Sequence, residues 1–326
     1  MKRLSLLVTS LFFVIILSSC GKESFQPLLT KQPVLLVFNQ GDHTLSFIER
    51  HSFQEITRWE WQEAITGGLL FPDQDQLLLY GKDLSDVMIY SLSTGQEITR
   101  WPVGTGITNA ALSHDGTTIY LTDHERNSLR FFSLEGNEMK ELHGGERPYT
   151  LLVGPDYLFV YHFYDDMIGR VNLTDMNYDL TFPTSPFPFG GLYRIDENEL
   201  WVGGHGAGSE VEELVTIFNT VDGRIKATIH TPYMPIAFAQ WGDFIYILSH
   251  GASTLYQVDV DSKRVVNSLQ VGSNSSSLIA DKHYLYVASL DSDELYVIEP
   301  SKLQIANTVQ VGKQPFQLIL REEDES

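Results

Sequence analysis

Short apolar runs separated by polar turns dominate the chain. From Ser275 it reads Ser-Ser-Ser-Leu-Ile-Ala, a turn at Asp281 to His283, Tyr-Leu-Tyr-Val-Ala-Ser, a turn around Asp291, Glu-Leu-Tyr-Val-Ile-Glu, a turn at Pro300 to Lys302, and Gln-Ile-Ala-Asn-Thr-Val-Gln-Val-Gly. β-Branched and aromatic residues fill the runs, and Asp, Ser, Gly or Pro close them, which predicts a four-stranded antiparallel meander. The unit recurs. The loop that leads from a fourth strand into the next first strand is marked at Pro315, with equivalents at Ser275, Pro235, Pro188, Pro148, Ile107 and Ile65. These seven marks lie 40 to 42 residues apart, except for a step of 47 between Pro188 and Pro235. Four strands per unit at this spacing predict a seven-bladed β-propeller.

The second strand of each unit fixes the register: Leu35 to Phe38, Leu77 to Tyr80, Ile119 to Thr122, Leu158 to Tyr161, Leu200 to Gly203, Ile245 to Leu248 and Leu285 to Ala288. Their continuous apolar character predicts strands covered on both faces, as in a blade packed between two neighbours. The long step between Pro188 and Pro235 carries seven extra residues, four of which fall in the loop Gly204 to Glu213. Residues 33–59 supply only three strands, and Phe316 to Leu320 supplies one more after the last mark. Pairing that strand with the first three completes a blade and leaves no open edge.

Tyr286-Val287-Ala288-Ser289, Leu295 to Glu299 and Val311-Gly312-Lys313-Gln314-Pro315 together resemble the YVTN family of bacterial β-propellers. The resemblance extends over most of residues 33–321 and is sharpest in the last blades. It implies an exported propeller that serves as a binding scaffold; a related lactonase-like group has enzymatic members, and the alternative is a lactonase-like or metal-dependent hydrolase with its site on a His-bearing rim.

Residues 1–19 form a different kind of segment. Lys2 and Arg3 precede an apolar run from Leu4 to Leu17, too short to span a bilayer comfortably, which predicts a signal peptide. The run ends Leu17-Ser18-Ser19-Cys20-Gly21, which resembles the bacterial lipobox and makes Cys20 the expected lipidation site. Residues 20–32 are then expected to be a lipid-anchored spacer, 33–321 the propeller and 322–326 a solvated acidic tail. Cys20 is the single cysteine, so there is no disulfide and no cysteine metal site. The protein is expected at the cell membrane, lipid-anchored on the extracytoplasmic face.

Composition narrows the partners. With 42 acidic against 22 basic residues the net charge is -20, which argues against nucleic acid and anionic headgroups. The expected partners are a protein or peptide of the cell envelope, and the membrane through the Cys20 lipid. The chain has no Gly-x-Ser-x-Gly, His-Glu-x-x-His or P-loop motif, so no catalytic residue and no cofactor are assigned.

In a propeller the loops from fourth to first strand and from second to third strand share one face, around the channel mouth. Aligned second strands place Asn39, Gly81, Asp123, His162, Gly204, Ser249 and Ser289 at one equivalent site on that rim. The next site holds Gln40, Lys82, His124, Phe163, His205, His250 and Leu290. His124, His162, His205 and His250 are candidates for ligand contact because imidazole both ligates and carries protons. Turn chemistry is the better account of them, and no metal site is assigned. Arg147, Tyr149 and Tyr233 are further rim candidates, since aromatic and Arg side chains anchor protein partners. Phe187, Phe189, Met234, Lys313 and Phe316 share the same loops. The glycine-rich stretch Gly203 to Gly208 precedes a strand, without the helix that a phosphate loop needs.

Overall fold

The structure is a computed structural model that describes residues 24–29, 33–208 and 210–322. The expected signal peptide and Cys20 lie outside the described residues. Seven four-stranded antiparallel sheets make up the chain, joined by one small hairpin between Gly206–Ala207 and Glu210–Val211 in the expected insertion. Blade 1 is the composite one. Its innermost strand is Pro315–Arg321, paired antiparallel with Val34–Asn39 so that Ile319 faces Leu36. Blades 2 to 7 then follow in chain order, beginning at Gly67, Ile107, Pro148, Pro188, Pro235 and Ser275. Each innermost strand touches the next around the whole circle, and the last touches the first.

The apolar pattern explains why the ring closes. Buried side chains fall into seven clusters, one at every seam between neighbouring blades. The seam between blades 4 and 5 gathers Phe159, Tyr161, Phe182, Leu200 and Phe218. That between blades 7 and 1 gathers Tyr286, Val297, Leu35 and Val37. Trp59 and Trp201 are wholly buried, and each large side chain so placed contributes roughly 2 to 3 kcal/mol. The outer strands are wetter: in Arg264–Gln270 every residue but Leu269 is exposed.

Ion pairs reinforce the closing seam. Arg50 of blade 1 reaches Asp281 of blade 7 at 2.6 Å and Glu322 at 3.1 Å, while Tyr286 donates to the same Asp281 at 2.8 Å. Glu322, expected to belong to a solvated tail, is therefore partnered. Between blades 5 and 6 the buried Glu199 accepts from Lys263, Lys226, Arg194 and Trp201 at 2.8 to 3.0 Å.

The stretch expected as a spacer is docked where it is described. Phe25 N–H donates to Gly95 O at 2.7 Å, Leu28 N–H to Leu92 O at 2.8 Å, and Trp59 Nε1 to Gln26 O at 2.9 Å. The Phe25 ring lies 5.0 Å from that of Trp59 and 4.7 Å from that of Trp61, and Leu28 is buried. This strap fills the seam between blades 1 and 2. Ser24 bridges Gln96, the first residue of an outer strand, on the face opposite the channel mouth.

Candidate functional site

One local irregularity builds the mouth of the channel. At the top of six of the seven innermost strands the register slips, so that an extra residue opposes the second strand. In blade 4, Pro148 pairs with His162 and Leu151 with Val160, leaving Tyr149 and Thr150 opposite Tyr161 alone. Such a bulge re-aims a side chain out of the sheet plane. The bulged residues Tyr149, Phe189, Ile236, Ser276 and Phe316 accordingly line a cavity of about 280 Å³ at the mouth. Below it the channel continues as a space of about 240 Å³ that Thr108, the bulged residue of blade 3, reaches.

The residue before each bulged strand is held left-handed. Arg147 has φ 49°, Phe187 56°, Met234 65°, Asn274 57° and Gln314 53°. Such a backbone is unfavourable for L-residues and needs a partner to fix it. A turn residue of the preceding blade supplies one. Arg147 N–H donates to Asn127 at 2.9 Å, Asn274 N–H to Ser253 at 2.9 Å, and Gln314 N–H to Asp293 at 2.9 Å. The Asp293 carboxylate is therefore structural, in keeping with the preference of Asp for turns. Side chains also stitch blade to blade, as where Asn109 Nδ2 donates to Tyr149 O at 3.0 Å and Ser276 Oγ to Pro315 O at 3.0 Å.

Aromatic rings form an arc along one side of the mouth. Ring centroids are 5.6 Å apart for His124 and Tyr149, 5.0 Å for Tyr149 and Phe189, 4.8 Å for Phe189 and His205, and 6.2 Å for His205 and His250. Phe163 leans on His205 at 5.9 Å. The Arg147 guanidinium stacks over Tyr164 at 4.6 Å. Burial, seconded by the nearby Arg147 charge, lowers the His124 pKa to about 4. Burial, seconded by His250, lowers His205 to about 4 as well. Both imidazoles are thus neutral at pH 7. Burial also raises the Tyr149 phenol to about 12.

Of the seven candidate residues, the structure brings five together: His124, Arg147, Tyr149, His205 and His250 all line the mouth. His162 does not belong there. It is 1% exposed and turned into the blade beside Tyr178, with burial lowering its pKa to about 4 against the opposing pull of Asp165. The reason is the strand period of two: Asn39, Asp123, Ser249 and Ser289, the other members of its site, are buried too, and only the following residue faces the channel. Tyr233 stands on the rim, 52% exposed, but outside the residues lining the cavity. Tyr164, Ile236 and Ser276 complete the lining and were not singled out by the sequence. The position after each mark was the available signal for Ile236 and Ser276. Among the described residues, no group of three or more His, Cys, Asp or Glu is placed to hold a metal ion, and no helix is long and apolar enough to cross a membrane.

No family model matches the chain, and no curated protein does. Solved structures do. A protein of unknown function from Desulfotomaculum acetoxidans superposes with a TM-score of 0.74 at 11% identity, covering 89% of this chain and 99% of that one. The hydrazine synthase of Kuenenia stuttgartiensis gives 0.73 at 16% identity, over 83% and 93%. Dihydro-heme d1 dehydrogenase NirN in complex with DHE gives 0.64 at 12% identity, over 92% and 77%. The likeness is one of fold.

Proposed function

We propose that this chain is a lipid-anchored, extracytoplasmic binding propeller that engages a protein or peptide of the cell envelope through its channel mouth. The supporting observation is the mouth itself, a cavity of about 280 Å³ walled by aromatic rings and imidazoles in tilted and edge-on contact, with Arg147 at its edge. That volume sits at the lower limit for a ligand pocket, which suits one side chain or a one- to two-ring compound. A larger macrocycle, such as the one named with NirN, would need the channel to widen. The described residues lining the mouth include no Asp or Glu, so a pair of carboxylates for general acid and base chemistry is not among them.

The lipid anchor is proposed from Leu17-Ser18-Ser19-Cys20 and the YVTN-like blades. It predicts that Cys20→Ala releases the protein from membranes and abolishes metabolic acyl labelling; a variant that stays in the membrane fraction would refute the anchor. Recognition is tested by affinity capture from envelope extracts. Phe189→Ala and Tyr149→Ala are expected to lose the captured partner, while Tyr233→Ala, outside the cavity, retains it. Equal recovery by all three would remove the mouth as the recognition site.

A further inference from the structure

Resting on the proposal that the mouth is a recognition site for a protein or peptide, we infer that its occupant is a polypeptide C-terminus ending in an aromatic residue, with the ring among Tyr149, Phe189 and His205 and the terminal carboxylate on Arg147.

Charge on the rim carries the first half of the argument. Arg147 is the only Arg, Lys, Asp or Glu among the described residues that line the cavity. The other basic side chains of this rim face carboxylates: Lys82 meets Asp83 at 2.7 Å, Arg126 meets Asp123 at 3.6 Å and Lys313 meets Asp293 at 2.6 Å. The Arg147 guanidinium has no such partner among the described residues. It stacks on the Tyr164 ring, which leaves the N–H edge free for an anion that arrives with a ligand. A chain with 42 acidic residues has ample means to neutralise an arginine, yet leaves this one stacked at the edge of an apolar cavity.

The walls carry the second half. Tyr149, Phe189 and His205 offer ring faces and edges at 4.8 to 5.0 Å centroid spacing, the contact geometry of aromatic pairs. Among the described residues, His124 Nε2 and His205 Nδ1 are buried behind the same wall without a protein hydrogen-bond partner. An aromatic terminal residue presents both a ring and a carboxylate, three bonds apart, and C-terminal capture is an established mode of peptide recognition. The flanking rim favours a peptide over a free amino acid. Tyr164 is 49% and Tyr233 52% exposed, giving apolar shoulders on which upstream residues can lie.

The test is a fluorescence anisotropy titration of the full mature chain with labelled peptide pools, randomised upstream and ending in Phe acid, Phe amide or Ala acid. Phe acid is expected to bind at least tenfold tighter than either of the others. Arg147→Gln should erase the preference for acid over amide with the melting temperature unchanged, and Phe189→Leu should weaken acid and amide alike. Equal affinity for acid and amide, or a preference that survives Arg147→Gln, would overturn the inference. So would N-acetylphenylalanine competing as well as the peptide, since the ligand would then be a small aromatic acid. If every pool fails while mouth variants still lose the envelope partner, the ligand class is wrong and the recognition site stands.

Discussion

The channel mouth and the seam between blades 5 and 6 are built from similar side chains and treat them in opposite ways. At the seam, Glu199 is 4% exposed and each of its oxygens meets cations at 2.8 to 3.0 Å. At the mouth, among the described residues, Arg147 lies on a ring with no carboxylate opposite, and His124 Nε2 and His205 Nδ1 have no protein partner. A saturated network has no bonding capacity left for a visitor, so its contribution goes to stability. A wall with spare donors is the place where a ligand can add bonds. Conserving the fold and recognising a partner are thereby separated in space.

The largest expected effect breaks the saturated side. Glu199→Ala leaves Lys263 and Lys226 without their carboxylate and Arg194 with Glu197 alone, and is expected to lower the unfolding free energy by about 4 kcal/mol in urea melts, with binding at the mouth unaltered. A loss under about 1 kcal/mol would show the network to be idle. Acid strips away the second largest part. Burial lowers the His162 pKa to about 4 from 6.5, so the unfolded chain binds a proton there that the folded chain does not. Stability is therefore fully present above pH 6.5 and falls as pH drops towards 4, by about 3 kcal/mol from this residue. His162→Leu should remove its own share of that slope and leave the shares of His124 and His205, which burial also lowers to about 4; an unchanged slope would locate the acid sensitivity elsewhere. Burial raises Glu199, but its hydrogen bonds to Lys263, Trp201 and Lys226 outweigh that and hold it at about 2, so its share is lost only below about pH 4.5. The smallest effect concerns the strap. Phe25→Ala empties a half-buried site among Trp59, Trp61 and Tyr90 and should cost about 2 kcal/mol. Hydrogen exchange at the Phe25 and Leu28 amides should rise many-fold; continued protection would mean the backbone bonds alone hold the strap.

Most of the ring was readable from the chain, because apolar runs repeating every 40 to 42 residues leave one arrangement that covers both faces of every sheet. The composite blade was readable for the same reason, since a lone strand after Pro315 and three strands before Glu60 complete each other. The mouth was only half readable. Alignment grouped His162 with His124, although a strand turns successive side chains to opposite sides, and one residue of register decides between seam and channel. Tyr149 and Phe189 face inward through bulges, which depend on pairing with the second strand and have no sequence signature of their own. The strap escaped notice because Phe25 and Leu28 belong to no periodic pattern; they are held by a groove that the neighbouring blades 1 and 2 make together.

That strap has a consequence for posture. With the chain pinned from Phe25 onward and Ser24 fixed at the outer margin of blade 2, an acyl group on Cys20 would hang on four Cα steps, a leash of at most about 14 Å. If the proposed anchor is present, a disc moored so closely by its underside margin would hold its open end away from the lipid, toward whatever approaches from beyond the surface.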